Sequence, residues 1–243
     1  MRSSNPVLKR LTKEEQIDFS YRMTVEGTIN KTFILFMIVM GSAFVLWNRY
    51  LEGGVDAIGS WMWIGVIGGL IAALITSFAP RIAVVVAPVY AVFEGMVLGG
   101  LSAMYEQRYQ GITIQAVGFT FGVFLVMLMI YRFRLIHITA PFRKMVVGAT
   151  LGILLVYFVD LIMSFFGSQL TFIHNSSPLS ILISLFVVGI AAFNFVLDFD
   201  MIEQGSKIGV PKYMEWYGAF SLIVTLVWLY VEILDLLRKL KDR

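Results

Sequence analysis

Residues 213–237 read YMEWYGAFSLIVTLVWLYVEILDLL. A helix needs about 20 mostly apolar residues to cross a bilayer, and this stretch supplies them. Its polar residues are not scattered. Ser221, Thr225, Trp228, Glu232 and Asp235 follow one another at spacings of 4, 3, 4 and 3, which puts them on one helical face. Lipid cannot satisfy such a stripe, so the helix is expected to turn it toward protein, with other helices packed around it.

Those other helices are legible. Apolar stretches occur at 32–48, 60–79, 82–104, 115–133, 144–166 and 179–201, which makes seven with the last. The whole chain of 243 residues is 58% hydrophobic and only 14% charged, with a mean hydropathy of +0.82. A soluble domain carries about 25% charged residues, so no part of the chain reads as soluble. The expected fold is an all-α integral membrane bundle of seven helices at 32–238. A cytoplasmic segment precedes it at 1–31 and a basic tail follows at 239–243. The second and third stretches are separated only by Ala79-Pro80-Arg81 and form a tight hairpin. Pro178 and Pro211 are placed at helix starts, where the missing N–H costs nothing. Gly205 and Gly209 mark the break before the last helix. Residues 12–30 fit either a short amphipathic helix on the membrane surface or a charged tail. The first 31 residues lack the apolar core of a cleavable signal, so the first stretch is expected to act as an uncleaved anchor.

Charge sets the orientation. Thirteen Lys and Arg fall on the side of the N-terminus, among them Lys31, Arg81, Arg143 and Lys207, against Arg49 and Arg108 on the other. The N-terminus is therefore expected in the cytoplasm. Arg238, Lys239, Lys241 and Arg243 run against this count. The last helix either crosses fully, which the other helices favour, or dips in and returns. The net charge of +3 fits positive-inside loops, and no basic patch interleaved with aromatics points to nucleic acid.

The chain has no cysteine and only two histidines, His137 and His174, both in predicted loops. Disulfides, thiolate chemistry and His-rich metal sites are excluded. There is no H-E-x-x-H and no G-x-S-x-G, so an intramembrane enzyme is not expected. GxxxG spacings at Gly65/Gly69, Gly95/Gly99 and Gly148/Gly152 point to close helix contacts.

Ionisable groups inside a span are functional candidates because their burial is costly. Here they are Glu94, Asp160, Asp198 and Glu232, with Asp200 and Asp235 near helix ends, and no basic residues lie among them in the span interiors. Asn194 stands one turn before Asp198. Asp235 sits beside the basic tail and reads first as an interface acid, as does Asp160. Two carboxyls close together in a dry site would share a proton, and such a pair could switch a pore or bind a cation.

The segments Glu94-Gly95-Met96-Val97-Leu98-Gly99 and Leu197-Asp198-Phe199-Asp200-Met201-Ile202, with Leu236-Leu237-Arg238-Lys239-Leu240 at the end, resemble the transmembrane Bax inhibitor motif family in its bacterial branch. Met23-Thr24-Val25-Glu26-Gly27 through Lys31-Thr32 is similar to an entry motif of one bacterial subgroup. The resemblance covers most of the chain. It implies a central seventh helix wrapped by six others and a pH-sensitive calcium leak. It further implies an aspartate closing the sixth helix, a second on the seventh, and an arginine that latches to the pair. Asp198 matches the first aspartate and Arg81 lies near the arginine. Thr225 stands where the second aspartate belongs, and threonine does not titrate, so Glu94 or Glu232 would have to supply the missing acid.

Two functions follow. One is a pH-sensitive leak for calcium or another cation through a site of Asp198 and Thr225, with Glu94, Glu232 and Asn194 as further candidates, Asp198 as the calcium ligand and Arg81 as the latch. The other is a non-conducting regulator in the cell (inner) membrane that binds a membrane protease or another membrane partner. Apart from lipid and the cation or proton itself, no ligand or cofactor is expected.

Overall fold

The computed structural model describes residues 22–242. Among the described residues seven α-helices follow one another: α1 Val25–Phe78, α2 Ala83–Arg108, α3 Ile112–Arg132, α4 Ala140–Phe165, the single turn α5 Thr171–His174, α6 Pro178–Ile208 and α7 Met214–Lys241. All except α5 are long and apolar enough to cross a membrane, six in all among the described residues. Most of the expected cytoplasmic segment, residues 1–21, and Arg243 at the end of the expected basic tail lie outside the described residues. Of the 12–30 stretch, residues 25–30 form the first turns of α1. Thr24 caps that helix, its hydroxyl accepting from the Gly27 N–H at 2.9 Å.

The first helix differs from expectation. Stretches 32–48 and 60–79 belong to one 54-residue element, broken only at Gly54, where φ is 66° and ψ −154°. Glycine alone takes that conformation without steric cost, and the helix-competent residues on both sides leave a one-residue corner in place of a loop. The two arms, 25–53 and 55–78, lie side by side. The Arg49 guanidinium sits 4.9 Å from the Trp61 ring centroid, and Leu46, Tyr50 and Ile58 share a small core with Ala103.

Helix α2 packs against both arms. A Cβ on Gly95 would come within 2.3 Å of the Val39 carbonyl oxygen, and one on Gly99 within 2.2 Å of that of Ala43. Gly65 in the second arm approaches the Phe93 carbonyl in the same way, at 2.9 Å. These spacings are contact faces, as expected. Gly148 and Gly152 are not: a Cβ at either would meet open space, so the α4 pair faces outward. A 3-10 turn, Pro80–Ile82, joins the second arm to α2. Pro178 is the first residue of α6, but Pro211 precedes α7 by three residues, and Gly205 lies inside α6, leaving Gly209 (φ 76°) to end it.

The bundle has two distinct ends. At the first, Met23 N–H donates to the Val210 carbonyl at 2.8 Å, Thr24 and Lys31 bind Glu215, and Arg143 binds Asp200. At the second, Tyr50 bonds Gln107, Tyr109 bonds Asp242, and Arg238 reaches the His174 carbonyl at 3.4 Å. Helix α7 is unbroken and runs from the first end to the second.

Burial separates the helices. Of the most apolar window, 56% is buried in α7 but 11% in α4, although both have high mean hydropathy. The α7 backbone packs against α1, α2, α3 and α6, and its side chains reach α4 through Glu232 and Tyr157. Phe195, Ile223, Leu229 and Leu234 are almost fully buried in the main core.

Candidate ion and proton site on the last two helices

Helix α6 starts at Ser177, whose hydroxyl accepts from the Ser180 N–H, and runs without a break past Asp198. That continuity carries Asp198 to the α7 face bearing Ser221 and Thr225. Ser221 Oγ donates to Asp198 Oδ1 at 2.5 Å and Thr225 Oγ1 donates to Oδ2 at 2.6 Å. Asp198 is buried at 8% exposure, and among the described residues no charged group of either sign is one of its partners. Both carboxylate oxygens are therefore answered by neutral hydroxyls alone. A carboxyl group in that setting can accept a proton or offer oxygens to a cation without first breaking an ion pair.

The neighbouring candidates do not join it. Asn194 donates to Thr150 Oγ1 and to the Ile190 carbonyl, both at 2.9 Å, and so serves the contact with α4. Asp200 pairs with Arg143 at 2.6 Å. Glu94 is half-buried in α2 beside Tyr90, one turn earlier, and against Gly69 of α1. Arg81 lies exposed in the 3-10 turn and makes no ion pair among the described residues. Among the described residues, no second acid is a partner of Asp198 and no arginine pairs with it.

The lower stripe on α7 forms a second cluster. Tyr157 Oη of α4 donates to Glu232 Oε1 at 2.7 Å, and Trp228 Nε1 donates to the same oxygen at 3.1 Å. Glu232 is buried at 5% exposure. Asp235 binds Arg238 at 2.7 Å and Lys239 at 2.8 Å, and Lys239 also donates to Ser184 Oγ at 2.7 Å. Asp160 closes the loop at this end, accepting from the Leu170 N–H at 2.8 Å and lying 2.7 Å from His174 Nε2. Between the two clusters stands the Trp228 indole.

Tyr157, Ser184 and Lys239 are polar partners that the sequence reasoning missed. Position 239 follows 235 by four residues, so the stripe's own spacing pointed to it. Tyr157 and Ser184 are single polar residues in apolar runs and carried no such signal.

Among the described residues, no group of three or more His, Asp or Glu side chains is placed to hold a metal. Asp198 with its two hydroxyls offers at most four oxygens, fewer than the six to eight calcium takes, so it suits a transient stop for a passing cation better than a resident ion.

Among the described residues, six helices long and apolar enough to cross a membrane, the last of them buried and α4 largely exposed, point to a multi-pass α-helical membrane protein. The family model described as Bax inhibitor 1 like matches residues 5–242, and the chain belongs to that family. No curated protein and no solved structure matches it.

Proposed function

We propose that the protein is a slow, pH-sensitive cation leak, with calcium as the first candidate ion, seated in the cell membrane with its N-terminus in the cytoplasm. In this reading the two arms of α1 each cross the bilayer, making seven crossings, and α7 is the central helix along which cations pass. The observation that carries it is Asp198: a buried carboxyl on two hydroxyls, with no cationic side chain among the described residues to neutralise it. An unclaimed carboxylate inside a membrane is expensive unless a proton or a transported cation uses it. Trp228 and the apolar side chains around it separate this group from the Glu232 cluster, which supports a closed resting conformation.

With Thr225 in place of a second acid, protonation is a property of Asp198 alone. The leak is then expected to fall off with pH as a single carboxyl does, without the steeper response of a coupled pair. Lipid vesicles holding the protein and a calcium-sensitive dye test the reading. Wild-type protein is expected to pass calcium and Asp198→Asn to pass several-fold less. Equal flux in the two, or none above empty vesicles, removes it.

A second reading is a non-conducting regulator of a membrane protease or assembly factor. The exposure of α4, whose backbone packs on α6 alone among the described helices, favours it because that face could take another membrane helix. Cross-linking in native membranes from a position on α4 separates the two. Capture of one defined membrane protein, together with activity that tolerates Asp198→Asn, selects the regulator.

A further inference from the structure

Lys239 lies in the last turns of α7, where a lysine ordinarily extends its ammonium into water. Its neighbour Lys241 does so, reaching the Gln110 carbonyl from an exposed position. Lys239 instead points inward and is 1% exposed. Its ammonium is held by Ser184 Oγ at 2.7 Å and Asp235 Oδ2 at 2.8 Å. Position 239 extends the face defined by Ser221, Thr225, Trp228, Glu232 and Asp235, and Glu232 lies two turns inward along it. A hydroxyl and a carboxylate are the oxygen donors that hard cations take, and the C-terminal end of a helix favours positive charge.

We propose that the Lys239 ammonium is a tethered cation that fills the outer end of the polar stripe on α7 and holds the cation path shut there. This rests on the cation-leak reading above and adds the regulation of that path. A cation entering from the outer end meets a fixed positive charge in surroundings that screen it poorly, and must displace it from Ser184 and Asp235. Displacement is feasible because Asp235 keeps a second partner, Arg238 at 2.7 Å, when the ammonium leaves. The four-carbon stem of lysine lets the charge swing toward water without moving the helix.

The chain has no cysteine, so Lys239→Cys gives a single reactive thiol. Calcium entry into vesicles is measured for this variant before and after treatment with two thiosulfonate reagents, one adding an aminoethyl group and one a methyl group. The variant is expected to leak roughly tenfold faster than wild type or more, given the short-range repulsion it loses. The aminoethyl reagent restores an ammonium on a side chain one atom longer than lysine and is expected to bring the leak back down toward the wild-type level, and the methyl reagent is not. Ser184→Ala, which removes one anchor and keeps the charge, is expected to give a smaller rise.

If wild type leaks, Asp198→Asn reduces the leak, and Lys239→Cys and Ser184→Ala both match wild type, the plug is wrong and the leak stands. If both reagents act alike on a leaky Lys239→Cys, charge is not the agent and the plug is again wrong. Absence of flux in every protein removes the plug together with the leak.

Discussion

Two acids near the first end of the bundle face the same pair of problems, burial and an apolar setting, and meet them differently. Glu215 opens α7 at 1% exposure and is gripped by the Lys31 ammonium, by the Thr24 N–H at 2.9 Å and by the Thr24 hydroxyl at 2.9 Å. Asp198, closer to the middle of the bundle, has two hydroxyls and, among the described residues, no charged partner. Glu215 is therefore a fastener: it ties the entry of α1 to the start of α7, where Met23 and Val210 also pair their backbones. Asp198 fastens little, because hydroxyl bonds can be remade to a protonated carboxyl or to a cation. On the proposed reading, a compensating charge goes with an acid built for stability, and its absence with one left available for function.

The sharpest way to break this contrast is to remove the charge that Glu215 relies on. Lys31→Met leaves a buried carboxylate without its ion partner, a change that costs about 3–5 kcal/mol in comparable sites. Thermal unfolding in detergent is expected to show a large fall in midpoint. Asp198→Asn keeps the shape and the hydroxyl contacts and is expected to stay within about 1 kcal/mol of wild type. Equal losses in the two variants would end the distinction.

Thr225→Asp tests the other half. It places a second carboxyl against Asp198, where the family resemblance puts one. Two charges about 4 Å apart repel by roughly 4 kcal/mol at the effective dielectric of protein sites. That repulsion exists only when both are ionised. The variant is expected to lose stability as the medium is made alkaline, by an amount that shrinks to little in acid, and to make calcium flux depend more steeply on pH than in wild type. Parallel pH profiles for variant and wild type would show that position 225 does not control the site.

Gly27→Ala has a smaller expected effect on the Glu215 side. A Cβ at position 27 would lie 2.3 Å from the Glu215 carboxylate, so either the acid or the helix must shift. Crowding of this kind costs typically 1–3 kcal/mol. An unchanged melting midpoint would mean that the fastener is looser than its contacts indicate.

How much of this the sequence carried depends on whether the signal was periodic. The polar face of α7 was legible because Ser221, Thr225, Trp228, Glu232 and Asp235 repeat at helical spacing, and Asp198 because it is an acid in an apolar run. The Lys31–Glu215 pair was not legible: its partners are 184 positions apart, and nothing local marks them as neighbours. The corner at Gly54 was hidden for a different reason. Residues on both sides form helix readily, so only the backbone sign of one glycine separates a hairpin from a single rod. Gly148 and Gly152 misled because the spacing of small residues permits a contact without supplying a partner, and α4 has open space there. Lys239 was obscured by its company: in a basic tail, composition reads as solvent, and only the extended stripe and Ser184 reveal an inward side chain.

The finest test of the contrast lies in the hydroxyls themselves. Ser221→Ala removes the donor to Asp198 Oδ1 and leaves Thr225 on Oδ2. If Asp198 were a fastener, losing one of two bonds at a buried carboxylate would cost the 1.5–3 kcal/mol typical of hydrogen bonds to charged groups. If it is an available group, a proton or a water takes over the freed oxygen and the loss is near 0.5 kcal/mol, the low end for a neutral hydrogen bond. The same substitution alters the donor set that a passing cation meets, so calcium flux is expected to change by more than stability does. A midpoint drop as large as that of Gly27→Ala, with flux untouched, would place Asp198 beside Glu215 as a structural acid. The small stability change together with a measurable flux change keeps the two apart.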